Sequence, residues 1–373
     1  MSRFRKLIEQ AQPDLVGQDL SRPFEELGVD SFDLMNLRVG LERELGEEIS
    51  DTQWTEFTSL AQIVSYCESR DGGGPTLDGI NQDTEDGYVR RFELNMPQMA
   101  IESLSESWLF KEIGASHWEL LCAGLGQRSA ALADEMGNRL YATFARVRHD
   151  ATQPLSSFEE AEDVRLSGEI SRFGGGMYIS RFELESLAAQ NKRIVSQMIT
   201  SFSRRGGEGN TNLVKSQPQV AENSITDLAQ PPQFVEEYRR IKKGTQDTLG
   251  LGGMTLQLTD AIETEFEYEL NPYHDLNGVG LLYFAAYPII ADTCEAQHFN
   301  AHAASGDTRW ELRWSTLARD IMYYANCDIT DTIVYRLHSH RIEGGRLATT
   351  ASLSRKSDGA LMAKVFVVKA ERL

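Results

Sequence analysis

Apolar side chains recur at helical spacing near the start of the chain. Four leucines lie three or four residues apart: Leu34, Leu37, Leu41 and Leu45. This spacing places them on one face of an amphipathic helix, which we predict over residues 31–46. Ser31 then stands at the helix N-terminus, where free backbone N–H groups favour a phosphate. The Ser31 hydroxyl is therefore a suitable attachment point for a phosphodiester-linked group.

The rest of the first 70 residues has the pattern of a small all-α domain. We predict a helix over residues 3–10, a loop through Pro13 and Pro23, a short turn capped by Asp51, and a last helix over residues 59–69. Four side chains of the last helix are expected to face inward: Leu60, Ile63, Val64 and Tyr66. A glycine-rich segment then breaks the periodicity at 71–75, and we predict a flexible linker over residues 71–88.

From residue 89 onward the same order of elements occurs twice, a long apolar helix signal followed by four strand-like segments. In the first copy, residues 89–204, the helix is predicted over 104–125 and the strands over 139–148, 163–173, 176–183 and 195–204. In the second copy, residues 254–373, the helix is predicted over 279–299 and the strands over 316–327, 331–343, 346–355 and 361–370. A polar insertion, residues 205–253, separates the copies and is predicted as loop with one surface helix at 233–243.

The composition is typical of a globular protein, and the net charge excludes some classes of partner. The 373 residues suffice for two or three domains, and the net charge of −19 argues against nucleic acid or an anionic membrane as partner. No apolar run is long enough to span a bilayer and no signal peptide follows Met1, so we expect a cytoplasmic protein. The four cysteines form no Cys-x-x-Cys pair, and we expect neither disulfides nor a metal site.

The N-terminal domain resembles an acyl carrier protein. The resemblance rests on Asp30-Ser31, the acidic helix after it and Asp51-Thr52-Gln53-Trp54, and Phe32 keeps apolar a position that is Leu in many carriers. It implies a four-helix carrier domain, residues 1–70, with 4′-phosphopantetheine attached to Ser31 by a phosphopantetheinyl transferase. Nine acidic residues and two arginines lie between positions 25 and 51. They are either a face that docks basic enzymes or an ordinary solvated helix face.

The two later copies resemble the double hotdog fold, two long helices each wrapped by an antiparallel sheet, so the whole chain belongs to the α+β class. Residues 272–278 and 281–285 are similar to the start of the central helix in hotdog thioesterases, and residues 319–324 with Asn326 are similar to the strand after it. The resemblance implies chemistry on acyl thioesters at the helix starts. Nine candidates follow: Glu106, His117 and Tyr141 in the first copy, and His274, Asp275, Asn277, Glu295, Arg319 and Asn326 in the second.

The first copy is also similar to a narrow hotdog family, the bifunctional acyltransferase/decarboxylases typified by the enzyme of leinamycin biosynthesis. The similarity lies in residues 95–97, 104–118 and 139–142. It implies that malonyl- or methylmalonyl-CoA is decarboxylated and that acetyl or propionyl passes to the carrier arm, for a downstream polyketide synthase or ketosynthase. The tyrosine nucleophile of that family corresponds to Tyr141, and the structural alternative is a strand tyrosine packed in the sheet. A phenol needs nearby cations or a base to react at neutral pH, and Arg139 and His117 lie in the same half.

The other catalytic candidates each have a structural alternative. His117 is a candidate to orient the arm or act as a general acid, or it is a buried core histidine. Asn277 is a candidate donor to the thioester oxygen, where enolate charge develops during decarboxylation, but an Asn before Gly is also common turn chemistry. Asp275 is the general base that a thioesterase would use, and its alternative is a cap before the helix.

Three functions therefore remain open. The first is an acyltransferase/decarboxylase with a carrier fused in front of it, which raises the effective concentration of the acceptor. The second is a thioesterase or dehydratase acting on its own carrier, although the chain has no His-x-x-x-Gly-x-x-x-x-Pro element of dehydratases. The third is a non-catalytic carrier and docking module. A monomer and a dimer both remain possible, because two hotdog copies in one chain already form a pseudo-dimer.

Overall fold

The structure is a computed structural model that describes residues 3–12, 15–29, 34, 37–38, 41–42, 44–45, 49–70, 88–174, 176–189, 191–207, 209–219 and 223–372. The chain divides into two units, Met1–Asn81 and Gln82–Leu373. The linker predicted over 71–88 lies outside the described residues except for Tyr88. Among the residues described, no helix is both long and apolar enough to cross a membrane.

The first unit is helical where it is described. It contains α1 (Arg3–Ala11), a 3-10 turn (Phe24–Leu27), α2 (Asp51–Glu56) and α3 (Leu60–Arg70). Leu37 and Leu41 are helical and buried, as the leucine spacing predicts, and they share a core with Phe4, Ile8 and Leu60. Ser31 and much of the helix predicted over 31–46 lie outside the described residues. The cap predicted at Asp51 is wrong by one position, because the Ser50 side chain accepts from the Gln53 N–H at 3.3 Å.

The second unit contains most of the chain. Its fourteen described strands are β1 (Tyr88–Glu93), β2 (Tyr141–Ala151), β3 (Asp163–Phe173), β4 (Met177–Ser186), β5 (Arg193–Arg205), β6 (Leu213–Lys215), β7 (Thr226–Asp227), β8 (Thr248–Leu251), β9 (Met254–Gln257), β10 (Thr264–Glu269), β11 (Trp314–Tyr323), β12 (Thr332–Glu343), β13 (Arg346–Arg355) and β14 (Leu361–Glu371). Its described α-helices are α4 (Glu106–Gly124), α5 (Gln233–Lys242), α6 (Tyr287–Ala301) and α7 (Trp310–Arg313).

The long strands form one sheet whose two halves have matching order. The first half runs β1-β3-β4-β5-β2, the second runs β10-β12-β13-β14-β11, and β2 pairs with β11 in the middle. In each half a helix, α4 or α6, follows the first strand and packs into a shared apolar core. The pairing of β2 with β11 is antiparallel and places Arg148 opposite Asp320.

The sequence predicted several boundaries wrongly. The helix predicted over 279–299 begins only at Tyr287, after a 3-10 turn at Phe284–Ala286, because Gly280 has φ of +78° and Leu276 bridges to Leu282. The strand predicted over 316–327 ends at Tyr323. The first strand of each half, β1 and β10, was not predicted at all, although β10 alternates strictly between partly buried and exposed positions.

The helix predicted at 233–243 is confirmed as α5, but the rest of the insertion contains more structure than the predicted loop. Helix α5 buries four side chains against the sheet: Phe234, Val235, Tyr238 and Ile241. Strands β6 and β7 add to the first half, and the hairpin of β8 and β9 crosses the boundary predicted between residues 253 and 254. The hairpin turns at Gly252 and Gly253, both with positive φ, and the nearest atom to a Cβ on Gly252 would be Val368 Cβ at 3.0 Å.

Candidate active site

A cavity of about 290 Å³ lies at the meeting of the two halves of the sheet, beside the start of α6. Its walls come from β2, β5, β6 and α5 on one side, and from residues 277–287 and the end of β11 on the other. Seven aromatic side chains line it, and four of them are buried: Tyr238, Phe284, Tyr287 and Tyr323. Lys215 and Lys242 line the exposed part. The cavity therefore has an apolar inner end and a positively charged mouth.

The polar atoms at the inner end are already paired. The Tyr287 hydroxyl donates to the Ala325 carbonyl at 3.3 Å, and the Tyr323 hydroxyl donates to the Phe284 carbonyl at 3.1 Å. Burial raises the pKa of both phenols well above the ordinary value, so both remain protonated donors. The Asn326 side chain is also used, since its amide pairs with the backbone N–H and carbonyl of Leu282 at 2.9 and 3.2 Å. The inner end therefore suits an apolar group.

Asn277 lies in the cavity wall and has two distinguishable ends. Its Oδ1 accepts from the N–H groups of Val279 and Leu281 at 3.1 and 3.0 Å, which is the turn chemistry expected of an Asn before Gly. Among the described residues, no acceptor lies within hydrogen-bonding distance of its Nδ2. The turn thus holds the side chain and leaves the amide donor for a group in the cavity.

Asp275 has a structural role in the turn before the helix and does not line the cavity. Its carboxylate is fully buried and accepts from the Asn271 N–H at 2.8 Å, the Tyr268 hydroxyl at 3.1 Å and His274 Nδ1 at 2.8 Å. The Tyr283 N–H donates to its carbonyl at 2.8 Å. Asp275 therefore closes the loop that precedes α6, which resembles the capping alternative more than a base exposed to substrate.

Tyr141 begins β2, and two guanidinium groups lie near its ring. Arg139 and Arg205 stand 5.7 and 5.5 Å from the centre of its ring. Arg205 also donates to Asn210 Oδ1 at 3.0 Å, and Asn210 lines the cavity, so Tyr141 is placed beside the cavity rim. The two arginines therefore place positive charge beside the Tyr141 ring.

Both ring nitrogens of His117 are already hydrogen-bonded within the protein. It is fully buried in α4, with Nδ1 at 2.9 Å from the Ser180 hydroxyl and Nε2 at 2.9 Å from the Thr200 hydroxyl. Burial lowers its pKa to about 4, so the imidazole is neutral at pH 7. With both nitrogens occupied, His117 matches the alternative of a buried core histidine and provides no base for Tyr141.

A second group of polar side chains lies at the start of α4. Glu106, the first residue of α4, receives hydrogen bonds from Arg319 Nε at 2.5 Å and Nη2 at 3.0 Å, and from the Thr316 hydroxyl at 2.9 Å. Arg319 Nη2 also donates to Asp292 at 2.8 Å, and Lys369 donates to the other oxygen of Asp292 at 3.0 Å. We call Glu106, Asp292, Arg319 and Lys369 the buried ion cluster. It contains two carboxylates and two cations.

Two further titratable groups border the buried ion cluster. His149 Nε2 lies 3.3 Å from Glu106 Oε1 with poor hydrogen-bond geometry, and burial lowers its pKa. Glu295 accepts from Thr349 at 2.8 Å, and burial together with Asp292 raises its pKa. Burial alone would raise the pKa of Glu106, but the charge of Arg319 brings it to about 2. Burial therefore disfavours the charged forms of both His149 and Glu295 beside the buried ion cluster.

The cavity and the buried ion cluster occupy matching places in the two halves. Both central strands shift register, β2 between Phe144 and Arg146 and β11 between Thr316 and Ala318. The same number of residues separates Glu106 from His117 as separates Phe284 from Glu295, and His117 and Glu295 each bond a hydroxyl of the matching strand, β4 or β13. The matching positions are Glu106 with Phe284, Asp292 with Gly114, Thr316 with Phe144 and Arg319 with Val147.

Glu106 and Arg319 were among the sequence candidates, but three members of this region were missed: His149, Asp292 and Lys369. The available signal was a lone polar residue within an apolar run, as with Lys369 after the run 365–368 of β14. No sequence periodicity shows that such a residue meets a partner from the other half. In the part of the chain that is described, no three His, Cys, Asp or Glu side chains are placed to hold a metal ion.

The two units are similar to different known proteins. Residues 3–67 match the family described as the phosphopantetheine attachment site. The acyl carrier protein of Campylobacter hominis is 39% identical over 65 residues, which cover 17% of this chain and 81% of that protein. The acyl carrier protein of Campylobacter curvus is 36% identical over 64 residues, covering 17% of this chain and 82% of that protein.

The second unit is similar in fold to solved thioesterase structures. A candidate oleoyl thioesterase of Lactobacillus plantarum superimposes with a TM-score of 0.52 at 12% identity, covering 76% of this chain and 95% of that one. The 12:0-ACP thioesterase of Umbellularia californica gives a TM-score of 0.50 at 11% identity, covering 76% of this chain and 94% of that one. At these identities the similarity establishes the fold alone: a large antiparallel sheet unit resembling hotdog thioesterases.

Proposed function

Because the chain belongs, through its N-terminal residues 3–67, to the family of acyl carrier proteins, we propose that it is an enzyme that acts on an acyl thioester carried by its own phosphopantetheine arm. The observation that supports this most directly is the cavity at the start of α6. It combines an apolar inner end with the amide donor of Asn277, in a unit folded like a thioesterase.

In this proposal Ser31 carries the 4′-phosphopantetheine group, added by a phosphopantetheinyl transferase, and residues 71–88 form the linker. An arm on the same chain as the cavity has an effective concentration of about a millimolar, so capture of the acyl group does not depend on a bimolecular encounter. The second unit would then be a double hotdog, with hotdog 1 over 89–204, the insertion over 205–253 and hotdog 2 over 254–373. The matching order of the two half-sheets supports this assignment.

The first candidate reaction is hydrolysis of the carrier-bound thioester. It is favoured by the similarity in fold to a candidate oleoyl thioesterase and to a 12:0-ACP thioesterase. Water would attack the thioester carbonyl, the C–S bond would break, and the products would be a free carboxylic acid and the thiol of the arm. Asn277 Nδ2 would donate to the carbonyl oxygen as charge develops. Asp275 would serve as base only if its three present hydrogen bonds were released.

The second candidate reaction is decarboxylation and acyl transfer, and the composition of the cavity favours it. Among the described residues, those lining the cavity include no carboxylate and no imidazole, which hydrolysis by a general base would require. Decarboxylation of a malonyl-type thioester needs no base. The bond to the carboxylate breaks, CO₂ leaves, and the electron pair moves to the thioester oxygen, where Asn277 Nδ2 would stabilise it until a proton from solvent reaches the α-carbon.

The transfer step of this second reaction would use Tyr141. Its phenolate would attack the thioester carbonyl of the acyl-CoA, releasing the CoA thiol, and the thiol of the arm would then displace the tyrosine oxygen. Arg139 and Arg205 lie over the ring, 5.7 and 5.5 Å from its centre, and would add positive charge near the acyl-CoA. Malonyl- or methylmalonyl-CoA as donor, and a polyketide synthase or ketosynthase as recipient of the loaded carrier, belong to this proposal, as does a cytoplasmic location.

Intact-protein mass spectrometry distinguishes the two reactions. The full chain is converted to its phosphopantetheinylated form, then given either methylmalonyl-CoA or a chemically loaded propionyl arm. Propionyl on the protein together with CO₂ from methylmalonyl-CoA supports decarboxylation and transfer. Loss of propionyl from the loaded arm as free acid, faster than from the same chain denatured, supports hydrolysis. If neither change occurs, the chain is a carrier and docking module without activity of its own.

A further inference from the structure

Two side chains of the first half donate hydrogen bonds to the turn that contains Asn277. Arg205 is the last residue of β5, and Asn210 lies in the loop between β5 and β6. Arg205 Nη2 donates to Asn210 Oδ1 at 3.0 Å and to the Val279 carbonyl. Asn210 Nδ2 donates to the Gly280 carbonyl. We call Arg205 and Asn210 the mouth clamp, because they bond the second half of the unit at the cavity.

The loop that contains Asn210 is itself held against the second half. Asn210 is buried, and its N–H donates to Asp328 Oδ1 at 2.7 Å, in the loop after β11. The backbone approaches the same carboxylate at Gly209, where φ is +83° and a Cβ would lie 3.0 Å from Asp328 Oδ2. Glycine allows both the positive φ and the close approach. The Asn210 side chain therefore starts from a backbone of fixed position.

The turn over residues 277–281 uses its two kinds of backbone group differently. Its N–H groups at Val279 and Leu281 donate to Asn277 Oδ1 at 3.1 and 3.0 Å, which orients the Asn277 side chain within the turn. Its carbonyls at Val279 and Gly280 accept from the mouth clamp, which orients the turn relative to β5. The position of Asn277 Nδ2 in the cavity therefore depends on both sets of bonds.

From these contacts we infer that Arg205 and Asn210 are positioning residues that hold Asn277 Nδ2 in place for the thioester oxygen. The inference rests on the proposed function and adds two residues from the opposite half to its site. A donor acts on a developing oxyanion only from about 2.7–3.1 Å, and a misplacement of about 1 Å costs about 10²-fold in rate. The mouth clamp acts on the reaction through the turn.

Asn210 separates this role from the charge of Arg205. The Arg205 guanidinium also lies 5.5 Å from the centre of the Tyr141 ring, so its removal changes the charge beside Tyr141 as well as the hydrogen bonds to the turn. Asn210 is uncharged, and its side chain bonds Arg205 and the Gly280 carbonyl. An effect shared by substitutions at both positions therefore belongs to the mouth clamp.

The test compares Arg205→Met and Asn210→Ala with wild type, each as the full phosphopantetheinylated chain. Release of propionyl from a chemically loaded arm and transfer from methylmalonyl-CoA are both measured. Each variant should lower the rate constant of whichever reaction the wild type performs by about 10²-fold. The KM for methylmalonyl-CoA should not change. If one of the two variants does not fold, the other is sufficient, since each removes a bond to the turn.

Arg204→Met is the matched control. Arg204 precedes Arg205 in β5, and its Nε lies 3.5 Å from Asp134 Oδ2 instead of bonding the turn. This variant removes a neighbouring guanidinium of the same strand, and it should keep the wild-type rate constant. A loss in Arg204→Met equal to that in Arg205→Met would overturn the assignment to the mouth clamp.

A double variant shows whether the effect passes through Asn277. Asn277→Asp lacks Nδ2, so the mouth clamp then has no donor to place. The rate constant of Asn277→Asp/Asn210→Ala should therefore equal that of Asn277→Asp alone. If the two losses multiply instead, Asn210 acts by another route and the inference is overturned.

Failure of this inference is distinguishable from failure of the proposed function. Wild-type rate constants in both Arg205→Met and Asn210→Ala overturn the mouth clamp and leave the thioester reaction intact. A raised KM in Arg205→Met with an unchanged rate constant at saturation also overturns it, since Arg205 would then serve binding of the CoA. Wild-type protein that processes neither the loaded arm nor methylmalonyl-CoA overturns the proposed function, and this inference with it.

Discussion

Arg319 and Glu106 join the two halves of the second unit through a two-point ion pair, with Nε to Oε1 at 2.5 Å and Nη2 to Oε2 at 3.0 Å. The arginine is fully buried in β11, and the carboxylate is the first residue of α4. Removing one partner leaves the other charge buried without compensation. We therefore predict that Arg319→Met lowers the free energy of unfolding by about 3–5 kcal/mol.

Urea unfolding of the full chain measures this loss, and hydrogen exchange of peptides from α4 and β11 assigns it to the second unit. Arg336→Met is the matched control, because Arg336 pairs with Glu265 at the exposed surface and should change stability by about 1 kcal/mol or less. The double variant Glu106→Gln/Arg319→Met should lose less than the sum of the two single variants. Strict additivity would contradict a direct ion pair.

His117 should make the fold sensitive to acid. Its pKa is about 4 in the folded protein and about 6.5 in an unfolded chain. Between these values the unfolded chain binds a proton that the folded chain does not, so stability is constant above pH 6.5 and falls as the pH decreases toward 4. The loss is about 3 kcal/mol. Stability of wild-type protein and His117→Gln is compared from pH 7.5 to 4, and the slope in this window should be smaller in the variant. Identical slopes would show that His117 does not titrate in this way.

Ser31→Ala should abolish attachment of the arm. Incubation with CoA and a phosphopantetheinyl transferase should add the mass of phosphopantetheine to wild-type protein and to Ser69→Ala, a control at the exposed end of α3. The Ser31 variant should gain no mass and accept no acyl group. A modified Ser31→Ala protein would move the attachment point to another serine.

Tyr141→Phe tests the proposed nucleophile. The variant keeps the ring and its two arginine neighbours and loses only the hydroxyl. If Tyr141 carries the acyl group, transfer from methylmalonyl-CoA to the arm should fall by about 10²-fold or more. Tyr273→Phe, at a side chain that is 98% exposed, is the control and should leave the rate unchanged. Full transfer activity in Tyr141→Phe would remove the phenol from the mechanism.

Substitution of Asn277 separates its role in the turn from its proposed role as a donor. In Asn277→Asp the carboxylate still accepts from the N–H groups of Val279 and Leu281, but the Nδ2 donor is lost. We expect the melting temperature to stay close to that of wild type, and the rate of whichever thioester reaction is observed to fall by about 10²-fold, the usual effect of losing one donor to a developing oxyanion. Asn277→Ala should lose both stability and rate. A fully active aspartate variant would mean that Asn277 serves only the turn.

The sequence predicted those parts of the fold that depend on local periodicity. Strands β3 and β13 were predicted with their observed bounds, and α4 to within two residues. These elements depend on the alternation or helical spacing of apolar residues that are close in sequence. The segment before α6 failed for the opposite reason. Its apolar residues suggested a longer helix, but Asp275 and Asn277 hold their backbone neighbours in turns that periodicity does not reveal.

The candidate site was predictable in part. Resemblance to known hotdog proteins directed attention to Tyr141 and Asn277, both of which lie at the cavity or its rim. The buried ion cluster was not predictable as a unit, because Glu106 and Arg319 are 213 residues apart and meet only through the pairing of β2 with β11. The stacking of Phe144 on Phe284 likewise joins residues from separate halves.

The pairing of β2 with β11 within a single chain has a consequence for how such a protein diversifies. In an assembly of two identical subunits, any substitution at one helix start is repeated at the other, so both places must tolerate it. Here the two places are encoded separately. One has become an ion-paired joint at Glu106 and the other an aromatic-walled chamber at Phe284. Because both halves belong to one chain, each can differ from the other: one is held by an ion pair, and the other contains the cavity.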